Sequence, residues 1–248
     1  MRLALVSDFH GNLVGTQAAL RDLQRDSVDA VVCLGDVAQG GPEPAAVVDE
    51  LRALPVPVSY VLGNSDGFLL DATATKEEVT DQHLETRAWT NEQLGPERLD
   101  FLASFSPTLR IDLGWSRSLL AFHGSPRDYD EILLPADDDA SLREKLGPLE
   151  DTFLTGGHVH RQWLRRLGGS TFFCPGSAGL SYDPEQPDDD FRFDAFAAYA
   201  VLTSTESGVE LAFRRAEFDH REVIAALERS TMPRATAELW RWQPRAEA

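Results

Sequence analysis

Each short apolar run of this chain is followed at once by residues that can bind or transfer. Leu3 to Val6 leads into Ser7, Asp8, Phe9 and His10; Ala30 to Leu34 into Gly35 and Asp36; Pro57 to Leu62 into Gly63, Asn64, Ser65 and Asp66. Further along, Leu119 to Phe122 leads into His123 and Gly124, and Thr152 to Thr155 into Gly156, Gly157, His158, Val159 and His160. Runs this short and apolar read as buried strands. Between the first two, Leu13, Ala18, Ala19, Leu20 and Leu23 recur near helical spacing behind Asn12, a capping residue. A second helix from about Glu43 to Leu54, with Pro44 in its first turn, precedes the third strand. Such units require parallel strands joined by right-handed crossovers. A parallel sheet lines its strand carboxyl ends along one edge, where ligands gather. The pattern predicts an α/β protein with converging, ligand-bearing strand ends. It makes Asp36 central if the strands follow the usual doubly wound order.

The rest of the chain fits one domain over residues 1–230, with a helical insertion near 67–105 and a C-terminal tail over 231–248. In the insertion Trp89, Leu94, Leu99, Phe101 and Leu102 are available for packing, and its helices are expected to cover or flank the site. Further strands are expected at Leu109 to Leu113, Thr171 to Cys174, Ala195 to Leu202 and Val209 to Arg215. Helices are expected near Asp137 to Leu146 and Val223 to Leu227. The acidic triplets at 137–139 and 188–190 read as solvated loops. The tail is expected to fray after about Thr231, with Trp240 and Trp242 able to pack on the domain.

Composition narrows the partners. A formal charge of -18, from 41 acidic against 23 basic residues, argues against duplex nucleic acid and anionic membranes. No apolar run approaches the length of a membrane span or a signal-peptide core. Cys33 and Cys174 sit inside apolar runs and read as small core residues of a reduced protein, so a cytoplasmic location is expected. A homo-oligomer stays open.

Of the six histidines, His10, His123, His158 and His160 stand at strand ends, leaving His83 and His220 elsewhere. Carboxylate, imidazole and carboxamide oxygen together suit divalent Mn, Fe, Co, Ni or Zn, and the absence of thiolate argues against a structural zinc site. Two cations would need a bridging carboxylate, for which Asp36 is best placed.

Taken in order, D-x-H (Asp8, His10), G-D (Gly35, Asp36), G-N-x-D (Gly63, Asn64, Asp66), H-G (His123, Gly124) and G-H-x-H (Gly157, His158, His160) resemble the five blocks of the calcineurin-like metallophosphoesterases. CPGSAGLSYD, from Cys174 to Asp183, resembles a further block of small bacterial phosphodiesterase-like members. The resemblance implies a four-layer α/β/β/α sandwich with mixed sheets and added helices. It implies one metal held by Asp8, His10, Asp36 and His160, and a second by Asp36, Asn64, His123 and His158. Two divalent ions of this kind, with manganese expected to serve in vitro, lower the pKa of a bridging water and clamp a phosphoryl group for in-line attack. The substrate implied is a small phosphodiester or nucleotide-like phosphate ester. Asp36, Asn64 and Asp66 are the candidate catalytic positions, and Arg127 in HGSPRD is a further candidate for contacting phosphate.

One position departs from the pattern. Many family members carry histidine where this chain has Ser65, and that histidine is held to protonate the leaving oxygen or stabilise the transition state. A serine hydroxyl is a poor general acid near neutrality. Substrates that need no protonation, recruitment of another acid such as Asp66 or His83, and loss of turnover are the three courses open. The alternatives to an esterase are accordingly a metal-binding scaffold, as in a retromer subunit of similar fold, and a phosphoprotein phosphatase.

Overall fold

The computed structural model describes residues 1–76 and 78–244, the Asp188 side chain excepted. Two five-stranded mixed sheets pack face to face with helices outside both, in the expected four-layer order. The first sheet is built from β1 (Arg2–Val6), β2 (Ala30–Cys33), β3 (Val58–Tyr60), β9 (Phe196–Thr205) and β10 (Gly208–Glu217), in the order β10-β9-β1-β2-β3. Its β1, β2 and β3 are parallel, whereas β9 and β10 run antiparallel. The second contains β4 (Leu109–Gly114), β5 (Arg117–Ala121), β6 (Phe153–Thr155), β7 (Gln162–Leu167) and β8 (Ser170–Pro175), in the order β4-β5-β6-β8-β7. β1, not β2, is therefore the middle strand of its sheet, because the late hairpin β9–β10 adds to its free edge.

Side-chain alternation along the strands explains the layers. Leu3, Leu5, Val32 and Leu34 face inward and pack with Leu113, Leu119, Ala121 and Phe173 of the second sheet. Ala4, Val6, Val31 and Cys33 face the opposite way, onto Ala19, Leu23, Val47 and Leu51 of α1 (Leu13–Arg25) and α2 (Pro44–Arg52). Outside the second sheet, Leu154, Trp163, Phe172 and Cys174 pack with Leu142 and Leu146 of α5 (Asp139–Leu146). Asn12 caps α1 by accepting from the Gly15 amide at 3.1 Å, and Pro44 opens α2, both as expected. Between β3 and β4 lie α3 (Asn64–Leu70) and α4 (Asp81–Ala103), the latter broken at Gly95 where φ is 66°.

Three local expectations are corrected. Asp138 and Asp139 begin α5, with the Asp138 carboxylate accepting from the Ser141 amide at 2.8 Å, while Asp188–Asp190 forms a 3₁₀ turn. β7 was not expected, because QWLRRL pairs its apolar residues and its arginines instead of alternating them, on the edge of the sheet. The segment after Thr231 does not fray up to residue 243. Met232, Ala235 of α7 (Ala235–Glu238) and Trp242 pack with Val223 and Leu227 of α6 (His220–Arg229), and Trp242 tilts against Phe193 at 5.0 Å between ring centroids. Among the described residues no helix is long and apolar enough to cross a membrane.

Candidate functional site

The carboxyl ends of β1, β2, β5 and β6 and the start of α3 meet at the seam between the sheets. The loops after β1 and β2 run side by side, with the Asp8 amide donating to Gly35 O at 3.0 Å and the His10 amide to Asp36 O at 2.9 Å. Asp8, His10, Asp36, His158 and His160 all take left-handed backbone conformations, with φ of 57°, 47°, 57°, 68° and 56°. Such conformations cost about 1–3 kcal/mol each and persist only where the surroundings fix them. Packing over-determines these positions. A Cβ on Gly63 would lie 2.1 Å from Asp36 Oδ1 and 2.4 Å from the Asp36 nitrogen, so β3 reaches Asp36 only through glycine. Gly63→Ala is expected to cost about 1–3 kcal/mol and lower Tm by roughly 3–10 °C. Gly169→Ala, which meets open space, should stay within about 0.5 kcal/mol of the parent; thermal denaturation of the two variants checks the contrast.

Three imidazoles are oriented by backbone carbonyls. His10 Nδ1 lies 2.8 Å from Gln39 O, His123 Nδ1 2.7 Å from Leu34 O, and His160 Nδ1 2.9 Å from Leu180 O. A carbonyl can only accept, so each Nδ1 carries a proton and, in the neutral ring, each Nε2 presents a lone pair. Those Nε2 atoms converge. His10 and His160 stand 3.1 Å apart at Nε2, and His160 Nε2 lies 3.3 Å from Asp8 Oδ1. Asp36 faces both sides, with Oδ2 3.6 Å from His10 Nε2 and Oδ1 3.5 Å from His123 Nε2. Asn64 Oδ1 closes the far end, 2.9 Å from His123 Nε2 and 3.0 Å from His158 Nδ1. Two groups therefore offer atoms mutually within 4.8 Å: Asp8, His10 and His160, and Asp8, Asp36 and His123.

The donor set fits divalent cations. Asp8 Oδ1 is buried without a hydrogen-bond partner. Its neighbours are imidazole nitrogens whose protons a bound cation would displace, and a cluster of carboxylate and imidazole donors of this kind suits positive charge. Burial would raise the Asp8 carboxyl, but His160, His123 and His10 outweigh it and hold it well below the usual carboxylate range. Burial pushes His158 down to about 4, leaving its ring neutral at physiological pH. Cys33 and Cys174 are buried, free and pushed far toward the thiol by burial, as expected of core residues.

The other predicted residues divide. The Ser65 amide and hydroxyl donate to the two oxygens of Asp36, at 2.9 and 2.5 Å. Asp66 is turned away from the cluster. Its carboxyl accepts from the amides of Asp36 at 2.8 Å, Val37 at 2.9 Å and Gly63 at 3.2 Å, so it positions the Asp36 loop, and burial together with Asp36 pushes it up to about 7. Arg127 is engaged elsewhere: Glu131, four residues on, takes its guanidinium at 3.0 and 2.5 Å, and it lines a separate cavity with Lys76 and Tyr129. His83 lies on a cavity of about 130 Å³ that opens at Asn64 and Ser65. One contributor escaped the sequence. Ser177, within the CPGSAG stretch, donates its hydroxyl to Asp8 O at 2.7 Å, and the Gly179 amide donates to the same carbonyl at 3.0 Å.

Residues 1–193 match the family model of the calcineurin-like phosphoesterase superfamily domain. The uncharacterized protein MJ0912 of Methanocaldococcus jannaschii is 23% identical over 251 residues, 93% of each chain. Among solved structures, a metallophosphoesterase from Sphaerobacter thermophilus aligns with a TM-score of 0.74 at 24% identity, over 98% of this chain and 99% of that one. The hypothetical protein PH1004 from Pyrococcus horikoshii OT3 aligns with a TM-score of 0.80 at 19% identity, over 96% and 97%. These structural likenesses speak for the fold.

Proposed function

The chain belongs to the calcineurin-like phosphoesterase superfamily, and we propose that it hydrolyses small phosphodiesters or nucleotide-like phosphate esters with two divalent cations. The observation that carries this reading is the convergence of three Nε2 lone pairs on the unpartnered, buried Asp8 Oδ1. Asp8, His10, Asp36 and His160 would hold one ion, and Asp36, Asn64, His123 and His158 the other. Manganese is the choice for assay, with iron, cobalt, nickel and zinc compatible with the same donors. Bound cations of this type supply Lewis-acid charge for a phosphoryl group and acidify water. The protein's own part is orientation: backbone carbonyls aim His10, His123 and His160, and Ser65 and Asp66 fix Asp36 from opposite sides. The formal charge of -18 supports small substrates over duplex nucleic acid.

Proton supply to the leaving group is the weak element. The Ser65 hydroxyl is committed to Asp36 and the Asp66 carboxylate to three amides, which leaves His83 and solvent as donors. A positioned general acid is worth about 10²- to 10⁴-fold. Aryl diesters, whose phenolate leaves unaided, are therefore expected to react at least about 10²-fold faster than alkyl monoesters at matched metal loading, as initial rates would show. The test of the function is to strip the protein of metal, restore each cation separately, and follow bis-p-nitrophenyl phosphate beside p-nitrophenyl phosphate, with Asp36→Asn as control. Metal-dependent turnover absent from the control is the expected result; cation binding without hydrolysis of either ester would favour a scaffold.

A further inference from the structure

A second polar cavity, of about 210 Å³, adjoins the cluster at His160 and is lined also by Arg161, Gln162, Tyr182, Phe196 and Arg215. It lies where β10 of the first sheet meets the start of β7 in the second. Among the described residues neither arginine is paired with a carboxylate, whereas Arg127, Arg165, Arg192 and Arg221 each are. Arg215 is held ready. Gln162 spends both amide hydrogens on backbone carbonyls, Tyr199 O at 3.1 Å and Arg214 O at 2.9 Å, and turns Oε1 to accept from Arg215 Nε at 3.1 Å. The Arg215 guanidinium lies over the Phe196 ring, 4.6 Å from its centroid. Nε and one face of the fork are thus committed, and the terminal nitrogens stay available for an anion. Tyr182 forms a wall between this cavity and the cluster, with its ring 6.0 Å from that of His160 and 5.0 Å from that of Phe191. A guanidinium fixed by neutral partners, with a second on the lining of the same cavity, suits a doubly charged oxyanion, since binding it breaks no ion pair.

We propose that this cavity is a second-anion subsite. Arg161 and Arg215 receive a phosphate that stands apart from the ester hydrolysed at the cluster, so the preferred substrates carry two phosphates. The inference rests on the phosphoesterase reading and names its substrate class.

The test uses the full chain loaded with manganese and two esters: the p-nitrophenyl ester of thymidine 5′-phosphate, and the same ester carrying a 3′-phosphate. In each, water adds to the 5′ phosphorus and the bond to the aryl oxygen breaks with p-nitrophenolate taking the electron pair. The 3′-phosphate is untouched. A charge-assisted contact to that phosphate should raise kcat/KM about tenfold, through KM. The Arg161→Ala, Arg215→Ala double variant should bring the ratio of the two esters close to one. Calorimetric titration with thymidine 3′,5′-bisphosphate and thymidine 5′-phosphate gives the same comparison without turnover. Equal kcat/KM and equal affinity for each pair in the parent protein would overturn the subsite and leave the esterase standing. Tighter bisphosphate binding that the double variant loses, with neither ester hydrolysed, would support the subsite and overturn the esterase.

Discussion

Asp8→Asn is expected to lower kcat/KM for bis-p-nitrophenyl phosphate by about 10³-fold or more at saturating divalent cation, while leaving the fold intact. Loss of cation charge at a phosphoryl group removes several kcal/mol of transition-state stabilisation, and each factor of ten is about 1.4 kcal/mol. The isosteric amide can keep the Oδ2 contact to the His158 amide, 3.1 Å away. Its NH₂ would then replace the unpartnered Oδ1 and donate toward His160 Nε2. Without metal the variant should melt lower than the parent near neutral pH, because the depressed pKa of Asp8 means that its charge stabilises the fold there and is lost in the amide. With manganese at a hundred times its dissociation constant the parent should gain about 2.7 kcal/mol per site, and the variant much less. Thermal denaturation with and without cation, beside steady-state rates, separates the two effects. A variant that responds to metal like the parent would remove Asp8 from the centre.

Asp66→Ala should produce the largest loss of stability of any single change at the site. Three amides, from Asp36, Val37 and Gly63, would lose their acceptor in a position closed to solvent. A buried donor left unmade costs about 1–3 kcal/mol, so about 3–6 kcal/mol is expected, or roughly 10–20 °C in Tm. Asp66→Asn should recover part of this, since an amide oxygen can serve one side of the triad while its NH₂ opposes the other. Denaturant unfolding of both variants checks the order. Activity should fall alongside stability in each; a stable Asp66→Ala protein that is merely slow would instead return Asp66 to a direct role in the chemistry.

The sequence disclosed the strand ends and the donors because both depend on local order. A short apolar run, a small residue and a ligand type mark the end of a buried strand, and Asn12 and Pro44 announce helices through chemistry confined to one turn. Long-range partners leave no such mark. Nothing in G-N-S-D indicates that Asp66 reaches back to amides at 36 and 37. β1 became the middle strand through pairing with β9, nearly two hundred residues away in the chain. The packing of residues 232–242 depends on Trp242 meeting Phe193 and Phe218, both far from it in the chain. For Arg127 the signal was present. Glu131 follows at a distance from which a carboxylate readily takes a guanidinium, and it outcompetes the site for that charge. Arg161 and Arg215 were invisible for a different reason: they become neighbours only when the edges of two sheets meet.

The most direct test is the metal content of the protein at equilibrium, measured by elemental analysis after loading with manganese and dialysis, for the parent and for Asp36→Asn. Two ions per chain in the parent, with a clear loss in the variant, is the result expected of a paired centre that shares Asp36. A parent that retains none, or a variant that holds both, would contradict it.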